Sequence, residues 1–227
     1  MSGMSQELLI QIALGDTIND GSSELAATLV NDQAILVKHL IGRVKPEEWD
    51  NPRTKPLLDR VTDQDQVCLL LRQFSGENIP DQTLYDLQAL LLNRLGVSHL
   101  VKIVIDAIAA DAPVAHYIDE SLAILKANEN HGALKDIVRM SPADRSKTSY
   151  LLESAIRGLT QIGDLHDLLQ SDIHALVRES VLEQLFYGYT EGDRELYQRI
   201  VQQDPNERVR KAAQKLLDRK SPNAATT

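Results

Sequence analysis

The side chains that most often do chemistry are scattered along this chain. No two of its six histidines lie three or four residues apart, and it has no His-Glu-x-x-His helix. The densest group of metal-ligand types runs from Asp164 to His174 and crosses a predicted turn. Aspartates at such places are equally suited to capping helix starts, which is the interpretation we adopt. The sequence therefore predicts no metal site.

Motifs for nucleophilic catalysis and phosphate binding are also missing from the sequence. Cys68, the single cysteine, lies in an apolar run, and an apolar setting raises the pKa of a thiol and suppresses its reactivity. We predict that it is a small core residue. The sequence contains no Gly-x-Ser-x-Gly turn, glycine-rich phosphate loop or dinucleotide fingerprint. We therefore expect no catalytic residue and no cofactor.

Aromatic residues are concentrated in one stretch, which holds four of the nine in the chain. They are Phe186, Tyr187, Tyr189 and Tyr197. Tyrosines near charged residues are typical of binding hot spots, but they could equally fill the junction between two helical hairpins. Trp49, in a proline-rich stretch, poses the same choice, and we interpret it as an anchor that holds this stretch against the helices.

Charge is distributed unevenly along the chain. The last predicted helix carries Arg208, Lys211, Lys215 and Arg219 at spacings of three, four and four, which places them on one face. Such a face either caps the end of a repeat stack or binds an acidic partner or a phosphate. The formal net charge is -9, and an acidic protein repels phosphate backbones. We therefore do not expect nucleic acid as a general partner.

The composition predicts an all-α fold. Aromatic residues are only 4% of the chain, and Leu, Ile, Val and Ala dominate the 43% that are hydrophobic, which suits helix–helix packing. A single cysteine excludes an intrachain disulfide. Neither a secretory-signal pattern nor an apolar run of roughly 20 residues is present, so we expect a cytoplasmic protein that does not enter the membrane.

Turn and cap residues divide the chain into about a dozen predicted helices. The first runs from Ser5 to Leu14, and the stretch from Ser23 to Gly42 has a predicted break near Asp32. Two further helices are predicted over 65–74 and 81–95, the second with Gly96 as a left-handed cap. The prolines of 45–56 indicate an irregular connector. We predict one continuous domain, with N-terminal helices over 1–44, this connector, a helical hairpin region over 57–97, repeats over 98–220 and a disordered tail over 221–227.

From residue 98 onward the predicted helices form pairs. The pairs are 98–110 with 113–128, 132–140 with 145–161, 164–170 with 172–187, and 191–203 with 205–219. The second helices begin roughly 27 to 33 residues apart, a period typical of helical solenoids. The first 95 residues show no such match, so the sequence leaves open whether they continue the stack.

Two of these pairs share a more specific pattern. Asp172 precedes Arg178 by six residues and Asp204 precedes Arg210 by six, with a valine before each arginine. The pattern resembles the HEAT repeat, mainly over 164–219 and more weakly over 98–161. In that family an aspartate opens the second helix of each pair. We expect each aspartate to cap its helix and each arginine to reach the aspartate of the adjacent repeat.

The resemblance implies a right-handed α-solenoid of HEAT-like hairpins with a less regular helical N-terminal part. Such stacks present a curved surface, so we expect a non-catalytic scaffold or adaptor that binds another protein. The candidate contact residues are Arg178, Glu179, Glu183, Tyr187, Tyr189, Tyr197, Arg208, Lys211 and Lys215. The residues expected to connect the repeats are Asp172, Arg178, Asp204 and Arg210.

Three alternatives remain on the same scaffold. One is an enzyme or chaperone resembling the phycobilin lyases, which would suit the acidic composition. Another is an enzyme resembling the alkylpurine DNA glycosylases, which fits an acidic chain poorly. The third is a nucleic-acid-binding module that uses the basic last helix. The sequence identifies neither the partner nor the oligomeric state.

Overall fold

A computed structural model describes residues 5–15, 20–44, 48–49, 51–52, 54–74, 81–111, 115–140, 149–188 and 193–219. Within these ranges the chain forms fourteen α-helices and no β-strand, which confirms the predicted all-α class. None of these helices combines the length and the apolar character that crossing a membrane requires. Tyr189, the tail 221–227 and parts of the connector lie outside the described residues.

The helices are numbered in chain order. They are α1 Gln6–Leu14, α2 Asp20–Leu29, α3 Gln33–Arg43, α4 Lys55–Asp59, α5 Gln64–Phe74, α6 Asp81–Leu92, α7 Val97–Ala110, α8 His116–Ala127, α9 His131–Met140, α10 Ser149–Arg157, α11 Ile162–Leu169, α12 Ala175–Gly188, α13 Arg194–Gln203 and α14 Glu207–Asp218. The chain divides into two compact units, unit 1 (Met1–His99 with Ala115–Glu120) and unit 2 (Leu100–Val114 with Ser121–Thr227).

The first helices begin and end at the residues whose side chains favour those positions. The Ser5 hydroxyl accepts the Leu8 N–H at 3.2 Å and caps α1, and Gly15, with φ 85°, ends the helix in the left-handed conformation. The predicted break near Asp32 separates α2 from α3, and the Asp32 carboxylate caps α3 by accepting the Ile35 N–H. These local predictions are confirmed.

The prediction that Gly96 is a left-handed cap is wrong. The helix that we expected to reach Leu95 ends at Leu92, and Gly15 is the only described glycine with a positive φ. The N–H of Gly96 donates instead to the Gln64 side-chain oxygen at 3.0 Å. A Cβ on Gly96 would lie 3.3 Å from that same oxygen, so a glycine here allows close approach rather than a left-handed turn.

The predicted connector contains a helix. Helix α4 begins at Lys55, and Pro56 lies in its first turn, where the missing backbone N–H has no helical acceptor to lose. Trp49 is 2% exposed, and its ring meets the Phe74 ring edge-on with centroids 4.5 Å apart. The indole is therefore the buried anchor that the sequence predicts. Cys68, expected in the core, is half-buried.

In unit 1 the helices pack mainly against the next helix but one, and α1 and α5 also pack against the helix that follows them. Helix α1 packs against α2 and α3, α3 packs against α5, and α2 packs against α4. Buried leucines such as Leu36, Leu40 and Leu70 fill the space between these helices. This arrangement places the first residue of each odd-numbered helix beside the segment that precedes the next one.

A series of glutamines exploits that arrangement. Gln6, Gln33 and Gln64 are the first residues of α1, α3 and α5. The Gln33 side-chain oxygen accepts the N–H groups of Thr62 (2.8 Å) and Asp63 (3.3 Å), and its amide donates to the Arg60 carbonyl at 2.8 Å. Gln6 bonds the segment before α3 in the same way, and Gln64 binds Gly96 before α7. We call these bonds the glutamine ladder.

Unit 2 contains three helical pairs in contact, α9 with α10, α11 with α12, and α13 with α14. Each corresponds to a pair predicted from the sequence. Helix α9 also packs against α11, and α12 packs against both α10 and α14. The even-numbered helices α10, α12 and α14 are thus successive neighbours, and their exposed sides provide the surface considered below.

Candidate functional site

The structure joins Arg178 of α12 to Asp204, the residue that follows α13. The guanidinium donates from Nε to Oδ2 at 2.8 Å and from Nη2 to Oδ1 at 3.0 Å, in a two-bond fork. Its Nη1 donates to the Ile173 carbonyl. The side chains of Arg178 and Asp204 are only 15% and 8% exposed, respectively. This ion pair connects two successive helical pairs, and its burial removes both groups from a binding surface.

Asp172 and Arg210, the other two residues expected to connect the repeats, do not form an ion pair of this kind. Asp172 is exposed, whereas Asp204 is largely buried. Arg210 donates from Nη1 to the carbonyls of Asp204 at 2.8 Å and Pro205 at 3.1 Å. Arg178 and Arg210 therefore share one role, because each binds a backbone carbonyl just before its own helix. Arg178 alone adds a carboxylate partner.

The expectation that these aspartates cap their helices is wrong. Asn206 caps α14 by accepting the N–H groups of Arg208 and Val209. Before α12, the His174 Nδ1 accepts the Leu176 N–H at 3.3 Å. Both helices begin three residues after the aspartate, which is too far for its carboxylate to reach the first free N–H groups. The residue two positions after each aspartate does this instead.

A groove of about 200 Å³ lies between α10 and α12. We call it the α10–α12 groove; its lining residues are Glu153, Ile156, Arg157, Ser180, Glu183, Gln184 and Tyr187. Tyr187 is 81% exposed, more than any other large apolar side chain in the described part of the chain. On the opposite wall, Arg157 donates to Glu153 at 3.0 Å. The groove thus combines an exposed aromatic ring with charged groups.

The aromatic cluster predicted from the sequence divides into residues with different environments. Tyr197 is 3% exposed, and its hydroxyl lies 3.1 Å from Nε2 of His166, so its ring cannot touch a partner. Phe186 is half-buried under the Arg219 guanidinium, which lies 5.3 Å from the ring centre. Tyr187 alone among these three points to solvent. The two alternatives that the sequence left open, junction packing and an exposed contact, therefore apply to different members.

The basic face of α14 is largely matched by nearby acceptors. Arg208 donates to Glu179 at 3.2 Å and Lys211 pairs with Glu207 at 2.7 Å. The hydrogen bond from Lys211 lowers the pKa of the Glu207 carboxyl. Arg219 turns back to donate to the Phe186 carbonyl and does not extend this face. Of the predicted residues of this face, only Lys215 is exposed without an ion-pair partner among the described residues.

Sequence reasoning missed a polar network that links α9 to α11. His131 donates from Nδ1 to the Asp164 carboxylate at 2.7 Å, and its Nε2 lies 3.2 Å from the Thr160 hydroxyl. Lys135 binds the second oxygen of Asp164 at 2.6 Å. Burial opposes ionisation of Asp164, but the hydrogen bonds from Lys135 and His131 outweigh it and lower the pKa of this carboxyl. The bond to Asp164 in turn raises the pKa of Lys135.

Thr160, His131 and Asp164 follow the hydroxyl–imidazole–carboxylate order of an activated nucleophile. The charges around them, however, suit a structural contact between helices. The Lys135 ammonium shares the Asp164 carboxylate and so reduces its ability to stabilise a protonated imidazole. The α10–α12 groove contains none of the three residues, nor does the second groove described below. The network therefore holds α9 to α11. A spacing of about 30 residues between polar helix starts was the only sequence signal for it.

His166 and Tyr197 form a second link, between α11 and α13. Their rings meet edge-on with centroids 5.9 Å apart. Burial lowers the pKa of His166, although the charges of Asp193 and Asp167 oppose this. Burial, with a smaller effect of the Asp193 charge, raises the pKa of Tyr197 to about 12. Both groups are therefore neutral near pH 7, as suits a packed contact.

A second, shallower groove of about 530 Å³ borders the Arg178–Asp204 pair. Leu169, Leu196 and Ile200 supply its apolar side, and Arg199 lies at its edge. The buried charges of Arg178 and Asp204 already neutralise each other. Within the described residues, no three His, Cys, Asp or Glu side chains converge in a way that could hold a metal ion.

Comparison with known proteins found no family model, no curated protein and no solved structure that matches this chain. Its function is therefore inferred from its own residues.

Proposed function

We propose that this chain is a HEAT-like repeat protein, built as a right-handed α-solenoid, that binds another protein without catalysing a reaction. One observation carries the proposal, namely the exposed Tyr187 ring beside the α10–α12 groove. A tyrosine offers a large, rigid contact area at little conformational cost, which suits it to the centre of a protein interface.

The repeat part of the proposal is supported by how neighbouring helices are connected. Arg178 and Arg210 bind the equivalent backbone carbonyls of Ile173 and Pro205, and Arg178 reaches across to Asp204. Gln6, Gln33 and Gln64 begin helices 27 and 31 residues apart and bind equivalent segments. Recurrence of one contact at a spacing of about 30 residues is typical of stacked hairpins. The glutamine ladder extends this recurrence into the N-terminal part.

The contact surface proposed here is smaller than the sequence alone suggests. Arg178 and Tyr197 are buried, so they support the surface without touching a partner. Glu179 is 17% exposed and paired with Arg208. Glu183 and Tyr187 remain as central contacts, and the charged residues of α14 form a polar rim. Nucleic acid is the weaker candidate because most of the basic side chains of α14 are already paired.

Site-specific photo-crosslinking tests the proposal. A benzophenone amino acid is placed at Tyr187, or as a control at Tyr85 of α6, which is 42% exposed. After irradiation of cells that express each variant, we expect a discrete adduct of higher mass from position 187 and none of the same mass from position 85. Absence of an adduct at 187, or the same adducts from both positions, would contradict a specific partner at this surface.

A further inference from the structure

We propose that the α10–α12 groove is a receptor for an arginine side chain presented by the protein partner. This inference rests on the proposed function, because it specifies the chemistry of the same surface. Glu183 and Tyr187 are four residues apart on α12, so they lie on one face with their Cβ atoms about 6 Å apart. A carboxylate and an aromatic ring are thereby presented together.

The charges of the groove favour a cationic occupant. Three of its lining residues are charged, and Glu153 and Arg157 pair with each other on α10. The Glu183 carboxylate has no hydrogen-bond or ion-pair partner among the described residues, which leaves one unmatched negative charge in the groove. The formal net charge of -9 adds a long-range attraction for a basic partner.

The shape of the groove favours arginine over lysine. A guanidinium is planar, so it can lie against the Tyr187 ring while two of its N–H groups donate to the Glu183 carboxylate. The Ser180 hydroxyl donates its proton to the Leu176 carbonyl at 3.1 Å, so its oxygen lone pairs remain as acceptors. A volume of about 200 Å³ accommodates one long side chain rather than a folded segment. Buried Ile156 provides an apolar floor for the methylene groups.

NMR titration of the full-length, ¹⁵N-labelled chain tests this inference. The probe is N-acetyl-arginine amide, and the matched control is N-acetyl-citrulline amide, which keeps the shape but lacks the charge. We expect amide signals of α10 and α12 around the groove to shift with arginine. The slope of these shifts should be roughly two- to fivefold smaller with citrulline, because one exposed ion pair and one cation–π contact are lost.

Conservative variants assign the effect to the groove. Glu183→Gln should reduce the arginine response to that of citrulline, and Tyr187→Leu should also reduce it. The controls are Glu195→Gln on α13 and Tyr150→Leu on α10, both exposed positions outside the groove lining, which should respond like the unaltered chain. Unchanged circular dichroism establishes that each variant is folded.

Three results would overturn the inference: equal responses to arginine and citrulline, an arginine response unaffected by Glu183→Gln, or a larger response to N-acetyl-glutamate amide at Arg157. Each of these leaves the crosslinking result intact. An adduct at position 187 without an arginine response would mean that a partner binds this surface through other chemistry. Failure of both experiments would remove the proposed function itself.

Discussion

The two units use different chemistry at the same kind of place, the first residue of a helix. In unit 1 these residues include Gln6, Gln33 and Gln64, and their neutral amides bind backbone groups before the next odd-numbered helix. In unit 2 the first residue of α9 is His131, and its ring binds the Asp164 carboxylate instead. Links within unit 1 thus run mainly from side chain to backbone, whereas those in unit 2 run mainly between side chains, many of them charged.

This difference determines what each unit is sensitive to. A glutamine that binds backbone groups needs no particular partner residue, and its amide does not titrate. A charged pair needs both members, and removing one leaves the other buried without compensation. Unit 2 should therefore respond more strongly to single substitutions at its links and to acid, while unit 1 should depend mainly on its glutamines and on arginines that bind backbone carbonyls.

The largest effect should come from breaking the buried ion pair of unit 2. Asp204→Ala leaves the Arg178 guanidinium largely buried and removes the acceptor of the Asn206 N–H. We expect the free energy of opening of α12 and α14 to fall by about 3 kcal/mol. Hydrogen–deuterium exchange of peptides from these helices measures it. Asp172→Ala, at the equivalent but exposed aspartate, should change it by less than about 0.5 kcal/mol; equal effects would refute the distinction.

Breaking the glutamine ladder should reduce stability by a smaller amount. Gln33→Ala removes two hydrogen bonds accepted by its oxygen and one donated by its amide, and leaves backbone groups of the segment before α5 unsatisfied. We expect about 2 kcal/mol less protection of the Thr62 and Asp63 amides against exchange. The control is Gln82→Ala on α6, where an exposed glutamine bonds Asp86 and should contribute about 0.3 kcal/mol. Unaltered protection in Gln33→Ala would show that the ladder is incidental.

Acid should produce the smallest change and should separate the units. The pKa of His166 is lowered from 6.5, so its contribution to stability is complete above pH 6.5 and is lost as the pH falls through the lowered value. The pKa of Asp164 is lowered from 3.8, so its contribution is present above pH 3.8 and is lost below that value.

Exchange rates, corrected for the intrinsic effect of pH, should therefore rise in α9 and α11 before they rise in α1, α3 and α5. Asp164→Asn should lower the protection of α9 and α11 at pH 7 and abolish the further decrease below pH 4. If α1, α3 and α5 lost protection at a higher pH than α9 and α11, the proposed difference between the two units would be wrong.

Most of the predictions that succeeded concern neighbours in the sequence. Ser5 and Asp32 accept N–H groups three residues later, and Gly15 ends its helix, so each acts within one turn. Gly96 was misassigned because its N–H bonds the Gln64 side chain, 32 positions away. Asp204 does not cap α14 because that helix begins three residues after it, but its bond with Arg178 is the one that the sequence pattern predicted. A single local pattern contains no information on distant partners, and only its repetition along the chain pointed to this one.

The same limit explains the candidate surface. Spacing on α12 was enough to place Glu183 and Tyr187 together, because residues four apart on a helix share a face. It could not show that Tyr197 packs against His166, or that Arg208 is paired with Glu179, since each of these contacts joins different helices. Burial of Tyr197 and exposure of Tyr187 follow from which helices surround them.

The sequence by itself determined that the chain is helical and where most helices begin and end, because these outcomes depend on propensity and on hydrogen bonds within a single turn. Tertiary structure alone decided most of the polar side chains that meet across 33 to 35 residues, as His131 meets Asp164 and Arg94 meets Asp59. The physical reason is that such contacts exist only after apolar faces have packed and brought distant helices side by side. That packing also decided which tyrosine faces solvent.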